Sequence, residues 1–240
     1  MTKQKKLLAD SADNPRNPRK SAKSANIAVI GAGYWGKNLV RNFYKLGVLK
    51  TVCDIDKKSL LYLKRIYPEI NITQNINKVV IDKDIKGVVI AAPAVTHYKL
   101  TKKFLLAGKD VFVEKPLALK LEEAKKLVKL AQKKKQILMV GHLLLYHPAV
   151  VKLKQIVKNG TLGKIRYIYS NRLNFGKLRT EENILWSFAP HDISVIIELF
   201  GKLPNKIYAH GMSWLNKNIA DVTLSYFEFN QNQAAHIFVS

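Results

Sequence analysis

From residue 26 to residue 140, short apolar runs alternate with longer stretches whose apolar positions recur every three or four residues. A short run bounded by turn residues reads as a strand buried on both faces, and the longer spacing reads as a helix with one apolar stripe. Strands are predicted at 27–30, 49–54, 87–92, 111–113 and 137–140, with a weaker strand and helix near 72–81. Helices are predicted at 34–46, 57–67, 97–107 and 121–134; Gly47, Pro68 and Gly108 stop the first three in turn. Such alternation predicts an α/β fold with a parallel, doubly wound sheet and right-handed crossovers.

After Gly141 the rhythm changes. A helix at 148–158 ends at Asn159-Gly160, and a second at 189–200 stops at Gly201. Strands are predicted at 164–174, 206–212, 220–229 and 234–239. Residues 142–240 therefore read as a second domain, α+β with a mostly antiparallel sheet, after a first domain at 26–141. The last apolar run reaches Ser240 with no turn or partner strand behind it. That arrangement predicts an open hydrophobic edge, and so a C-terminally incomplete chain.

Composition narrows the function classes. With 240 residues and 48% hydrophobic content the chain can bury a sizeable core, and no apolar run approaches the ~20 residues of a membrane span. Residues 1–25 are basic, contain proline and lack the apolar core of a secretory signal. They predict a disordered arm on a cytoplasmic protein that does not insert into membranes. The single cysteine, Cys53, excludes an internal disulfide and a Cys-based zinc site, and its neighbours predict a small buried hydrophobe. Histidines 97, 142, 147, 191, 210 and 236 are too dispersed to predict a metal site. The formal charge of +24 comes mostly from lysines scattered over every helix surface. This predicts a solvated surface that draws in anionic substrates such as nucleotide sugars, not a specific nucleic-acid groove.

The candidate chemistry begins at the first turn. Gly31, Gly33 and Gly36, with Tyr34 and Trp35 between the last two, follow a strand and open a helix. In such a triplet the first glycine makes the tight turn, the second lets backbone approach a pyrophosphate, and the third lets helix pack on sheet. Asp54 ends the next strand eighteen residues past Gly36, where an acid meets adenosine ribose hydroxyls. The three elements together predict a Rossmann domain that binds a dinucleotide. NAD is predicted over NADP, because Asp54 repels a 2′-phosphate and Ile55 offers no cation to receive one.

Further groups fall at the carboxyl ends of later strands, where such sheets bind ligands. Pro93 breaks the backbone after the strand at 87–92, which predicts free main-chain groups on Ala91 and Ala92 and a helix starting at His97. His97 reads equally as a histidine that bonds only to backbone. Glu114, Lys115 and Pro116 follow the strand at 111–113, and Lys115 is a candidate proton shuttle or oxyanion partner. Pro190, His191 and Asp192 are predicted at a helix N-terminus, where a neutral imidazole could accept a hydroxyl proton. Arg172 and Arg179 are candidates for bidentate recognition of diphosphate or carboxylate. Plainer readings stay open: Lys115 as one surface lysine among many, Asp192 as a helix cap, and Arg179 paired with Glu181 or Glu182.

These stretches, in this order after GAGYWG and VCDID, resemble the Gfo/Idh/MocA oxidoreductase family from residue 26 to residue 240. EKP after the fifth main strand with a later HD is the more specific part. The stretches GHLLLYHPAV and YSNRLNFGKLRTEENILWSFAPHDIS resemble the WlbA/WbpB type of UDP-N-acetylglucosamine or uronate 3-dehydrogenase, used in surface polysaccharide synthesis. The resemblance implies that Gly31, Gly33 and Gly36 take the pyrophosphate and Asp54 the ribose. It places Ala92, Pro93, His97 and Glu114 around the nicotinamide and its ribose, with Lys115 and His191 catalytic. It also implies a homo-oligomer in the complete protein. Where many members carry an aspartate four residues before the histidine, this chain has Ser187. A non-catalytic dinucleotide-binding regulator and an inactive truncated homologue are the alternative readings.

Overall fold

The computed structural model describes residues 25–174, 182–230 and 232–240, so the basic arm (apart from Ala25) and Arg179 lie outside the described residues. The chain divides into two compact units between Met139 and Val140.

The first unit holds strands β1 (Asn26–Ile30), β2 (Leu49–Cys53), β3 (Asn71–Thr73), β4 (Ile85–Ile90), β5 (Asp110–Val113) and, at its boundary, β6 (Leu138–Val140). Its helices are α1 (Gly36–Lys45), α2 (Lys57–Ile66), α3 (Ile76–Ile81), α4 (Ala94–Leu106) and α5 (Leu121–Lys134). The sheet runs β3-β2-β1-β4-β5-β6, with Val29 of β1 opposite Val52 of β2 and Val89 of β4 in parallel register. Val88, Val89 and Ile90 are all buried, as residues of a strand covered on both faces must be. Val40 of α1 and Leu60 and Leu63 of α2 close one core over Val29, Val52 and Val89. The chain runs outward from β1 to β3 and then returns to β4 on the other side of β1. The turns after β1 and β4 therefore bound a crevice at the carboxyl ends of the strands.

Helix α4 starts three residues earlier than expected. Pro93 serves as its N-cap, which puts His97 in the first turn and not at the helix start. Proline tolerates this place because its missing N–H is not needed there.

The second unit holds a 3₁₀ turn (Leu143–Tyr146), α6 (Pro148–Lys158), β7 (Tyr167–Arg172), α7 (Ile184–Phe200), β8 (Lys206–Met212), β9 (Val222–Phe229) and β10 (Gln233–Val239). The strand order is β7-β10-β9-β8; β9 is antiparallel to both neighbours and β10 is parallel to β7. The final strand is thus interior, not the open edge that the sequence predicts. Its second partner, β7, lies far earlier in the chain, which is why a local reading misses it. Phe227, Phe229, Ala235, Ile237 and Val239 alternate onto one face and pack against Ile184, Ala189 and Ile196 of α7.

Helix α7 also departs from expectation. It begins at Ile184, five residues before the predicted start, because Asn183 accepts the Trp186 N–H at 3.1 Å as an N-cap. Pro190 lies inside the helix, so His191 and Asp192 sit in its interior rather than at its N-terminus. Removing the cap by Asn183→Ala should cost about 1 kcal/mol, measured as a lower Tm with the helical circular-dichroism signal retained.

Candidate functional site

The crevice of the first unit is built on glycines with separate tasks. Gly31 has φ +99°, and a Cβ there would come within 2.6 Å of the Ala91 carbonyl oxygen, so the backbones leaving β1 and β4 touch. A Cβ on Gly36 would collide with the Gly31 carbonyl oxygen. Packing alone therefore requires these two. Gly33 is different: a Cβ there would meet nothing within 4 Å, and its φ is not left-handed. Packing therefore leaves the backbone at Gly33 open to an approaching group. Helix α1 begins at this loop with no side-chain cap and no acidic residue in its first turn, and the Lys37 and Asn38 N–H groups turn back onto the Gly33 and Trp35 carbonyls. Tyr34 beside them is 93% exposed. The loop fits the pyrophosphate of a dinucleotide.

Asp54 ties the loop down. One carboxylate oxygen accepts the Ala32 N–H and the other accepts the Asp56 N–H at 2.7 Å. Ahead of it Cys53 is buried, and burial together with the Asp54 charge pushes its thiol up to about 11, so it is protonated at neutral pH.

On the other side of the crevice, two of the main-chain groups expected to be free on Ala91 and Ala92 are engaged within the protein. The Ala91 N–H donates to Ile30 at 2.8 Å, and the Ala92 carbonyl faces His97 Nε2 at 2.8 Å. His97 is 1% exposed, and its Nδ1 lies 2.6 Å from the Pro116 carbonyl, so the ring bridges the turns after β4 and β5. Glu114 is buried at the end of β5 and accepts the Trp35 indole N–H at 2.8 Å. Burial pushes its carboxyl above the usual range, against the opposing pull of Trp35 and Lys115. Lys115 follows, half-buried, with a cis peptide to Pro116.

His191 lies in the second unit, half-buried on α7. Its neighbour Asp192 caps nothing: it receives Arg172 Nε at 2.7 Å, Arg172 Nη2 at 3.1 Å and the Ser170 hydroxyl at 2.8 Å. The fork of Arg172 thus holds a carboxylate of its own chain. Ser187 is buried and donates to Glu182 at 2.7 Å. A cleft of about 490 Å³ runs along α7 past Trp186, Pro190 and Ser194, and neither His191 nor Arg172 lines it. Among the described residues no three metal-ligating side chains converge, and no helix is long and apolar enough to cross a membrane.

Three contacts escaped the sequence reading: Ala32 with Asp54, Trp35 with Glu114, and Arg172 with Asp192. Strand order creates each of them, and no local spacing signals it.

The family described as "Oxidoreductase family, NAD-binding Rossmann fold" matches residues 25–142. The chain is 26% identical over 81% of its length to the uncharacterized oxidoreductase YrbE of Bacillus subtilis, covering 59% of that protein. It is 25% identical over 88% of its length to the UDP-N-acetylglucosamine 3-dehydrogenase of Acidithiobacillus ferrooxidans, covering 66% of it. Among solved structures, GenD2 from gentamicin A biosynthesis, in complex with NAD, superposes with a TM-score of 0.87 at 20% identity, over 95% of this chain and 69% of that one. This chain thus spans about three fifths to two thirds of the length of these curated relatives.

Two outcomes follow from the packing. Gly36→Ala should lower Tm through its backbone collision, while Gly33→Ala should leave the fold as stable or raise its stability by about 0.5 kcal/mol. Glu114, with a raised folded pKa, binds its proton more tightly when folded, so stability is lost as pH rises through the ordinary carboxylate range. Glu114→Gln, which cannot ionise, should therefore gain in Tm over wild type between about pH 4 and pH 7.

Proposed function

We propose, from the match of residues 25–142 to the oxidoreductase family with an NAD-binding Rossmann fold, that this chain is a Gfo/Idh/MocA oxidoreductase that binds NAD and oxidises a sugar hydroxyl of a nucleotide-linked sugar. The substrate class is a UDP-linked amino sugar or its uronate, oxidised at C3, in surface polysaccharide synthesis. The observation that carries the cofactor half is the glycine corner after β1, where Gly31 and Gly36 are fixed by packing and Gly33 opens onto free space. The substrate half draws support from the resemblance to a UDP-N-acetylglucosamine 3-dehydrogenase.

In this reading the loop of Gly31, Gly33, Tyr34, Trp35 and Gly36 holds the pyrophosphate through the N–H groups from Gly33 onward, since those of Gly31 and Ala32 bond the Cys53 carbonyl and Asp54. Asp54 has lone pairs left for the adenosine ribose after bonding Ala32 and Asp56. Ala92 and Pro93 line the nicotinamide side. His97 acts there by pinning the turns that carry Pro93 and Lys115, since both its nitrogens face main-chain carbonyls. Glu114 receives ribose hydroxyls. Bound NAD supplies the hydride acceptor. Lys115 holds the developing alkoxide, and His191 takes the hydroxyl proton. Arg179 and the remaining N–H groups of Arg172 recognise the anionic part of the substrate. The reading goes with a cytoplasmic homo-oligomer that uses neither nucleic acid nor membrane.

Calorimetry with NAD tests the cofactor half: wild type should bind, and Gly33→Ala should bind about tenfold or more weakly although its fold is intact. A well-folded wild type that releases no heat with NAD overturns the reading. With a panel of UDP-sugars followed at the NADH absorbance band, Lys115→Ala should lose turnover and keep cofactor. Normal turnover by that variant would remove Lys115 from the chemistry.

A further inference from the structure

The contact between Trp35 and Glu114 joins two parts of the crevice that lie far apart in the chain. Trp35 stands immediately before α1, on the loop assigned to the pyrophosphate, and Glu114 ends β5. The indole is 41% exposed, yet its one polar atom points inward to Glu114 Oε1 at 2.8 Å. Glu114 is 8% exposed, and a buried carboxylate needs donors to stay ionised. The groups facing it are the Trp35 indole from the glycine loop, His97 from α4, and Lys115, which contributes its N–H and its charge.

We infer that Trp35 is a positioning residue that clasps Glu114 in its ionised form and aims its second oxygen at the nicotinamide-side ribose. This rests on the NAD reading above. The indole N–H occupies one lone pair on Oε1 and the Lys115 N–H another on the carboxylate, which leaves acceptor capacity for ligand hydroxyls and fixes the carboxylate plane. Without the indole, Glu114 loses a charge-assisted bond in a buried place and takes up a proton at higher pH. A protonated carboxyl offers a poorer acceptor to the ribose. Loss of Trp35 should therefore weaken NAD binding chiefly on the acid side.

The test separates the clasp from the cofactor reading. In a Trp186→Phe/Trp214→Phe chain, Trp35 is the one remaining tryptophan. Its emission, with no cofactor present, should titrate with pH and lose that step on adding Glu114→Gln. NAD binding by Trp35→Phe, measured by calorimetry across pH, should fall about tenfold at the acid end and recover toward wild type as pH rises. On the Glu114→Gln background, Trp35→Phe should shift nothing further. An emission that does not titrate, or a Trp35→Phe loss that is equal at every pH, overturns the clasp. If Trp35→Phe does not fold, the emission titration alone decides the question. Failure of the wild type to bind NAD would instead overturn the cofactor reading and leave the emission result standing.

Discussion

The first unit depends on one close approach, the backbone leaving β1 laid against the backbone leaving β4. Gly31 permits it, since any side chain there would press into the Ala91 carbonyl oxygen. Once these segments touch, the next turn must lift away from the sheet, and Gly36 lets α1 start directly over Gly31. The helix start, the crevice and the open space at Gly33 follow from that single contact. It also sets what can reach what. The loop after β1 ends beside the end of β2, where the Asp54 carboxylate takes the Ala32 N–H. It carries Trp35 to Glu114 at the end of β5. A glycine triplet thus acts less as a flexible loop than as the fixed corner from which two carboxylates are placed.

Those carboxylates share a design. Asp54 and Glu114 each commit an oxygen to an N–H of the glycine loop. A carboxylate can accept about four hydrogen bonds, so structural duty and ligand duty are compatible. The two differ in surroundings: Asp54 is partly exposed and Glu114 is buried, and only Glu114 is pushed toward its neutral form. Proton occupancy at Glu114 is therefore open to control by its neighbours.

The strands and most helices of the first unit were legible because continuous apolar runs and helical spacing are local signals. The glycine triplet and Asp54 were legible for the same reason, being features of single turns. Helix starts were less so. Pro93 and Pro190 both look like helix openers, yet Pro93 caps α4 four residues before His97, while Pro190 sits inside a helix that Asn183 has already begun. A proline marks a missing N–H, and Asn183 is the better signal of where a helix begins. The parallel pairing of β10 with β7 was not legible either. The segment between them is long, and register over that distance is set by which faces bury, not by a turn. Side-chain pairs between distant strands were invisible for the same reason, and the clearest case is Arg172, whose fork closes on Asp192.

That pair changes how α7 should be understood. A partly exposed ion pair contributes little to stability, about 1 kcal/mol or less. Its geometry matters more, because two parallel N–H···O bonds and the Ser170 hydroxyl fix one position of α7 against β7. His191 is the residue next to that anchor. One turn earlier, Ser187 is buried and tied to Glu182, where many relatives are expected to carry an aspartate. The polar groups flanking His191 along the helix are thus held by the unit's own side chains. Mid-helix placement removes the N-terminal dipole that the sequence seemed to offer the imidazole, and a fixed backbone replaces it. The imidazole thus sits on a helix whose place against β7 is fixed by a bidentate pair and a hydroxyl from the same unit.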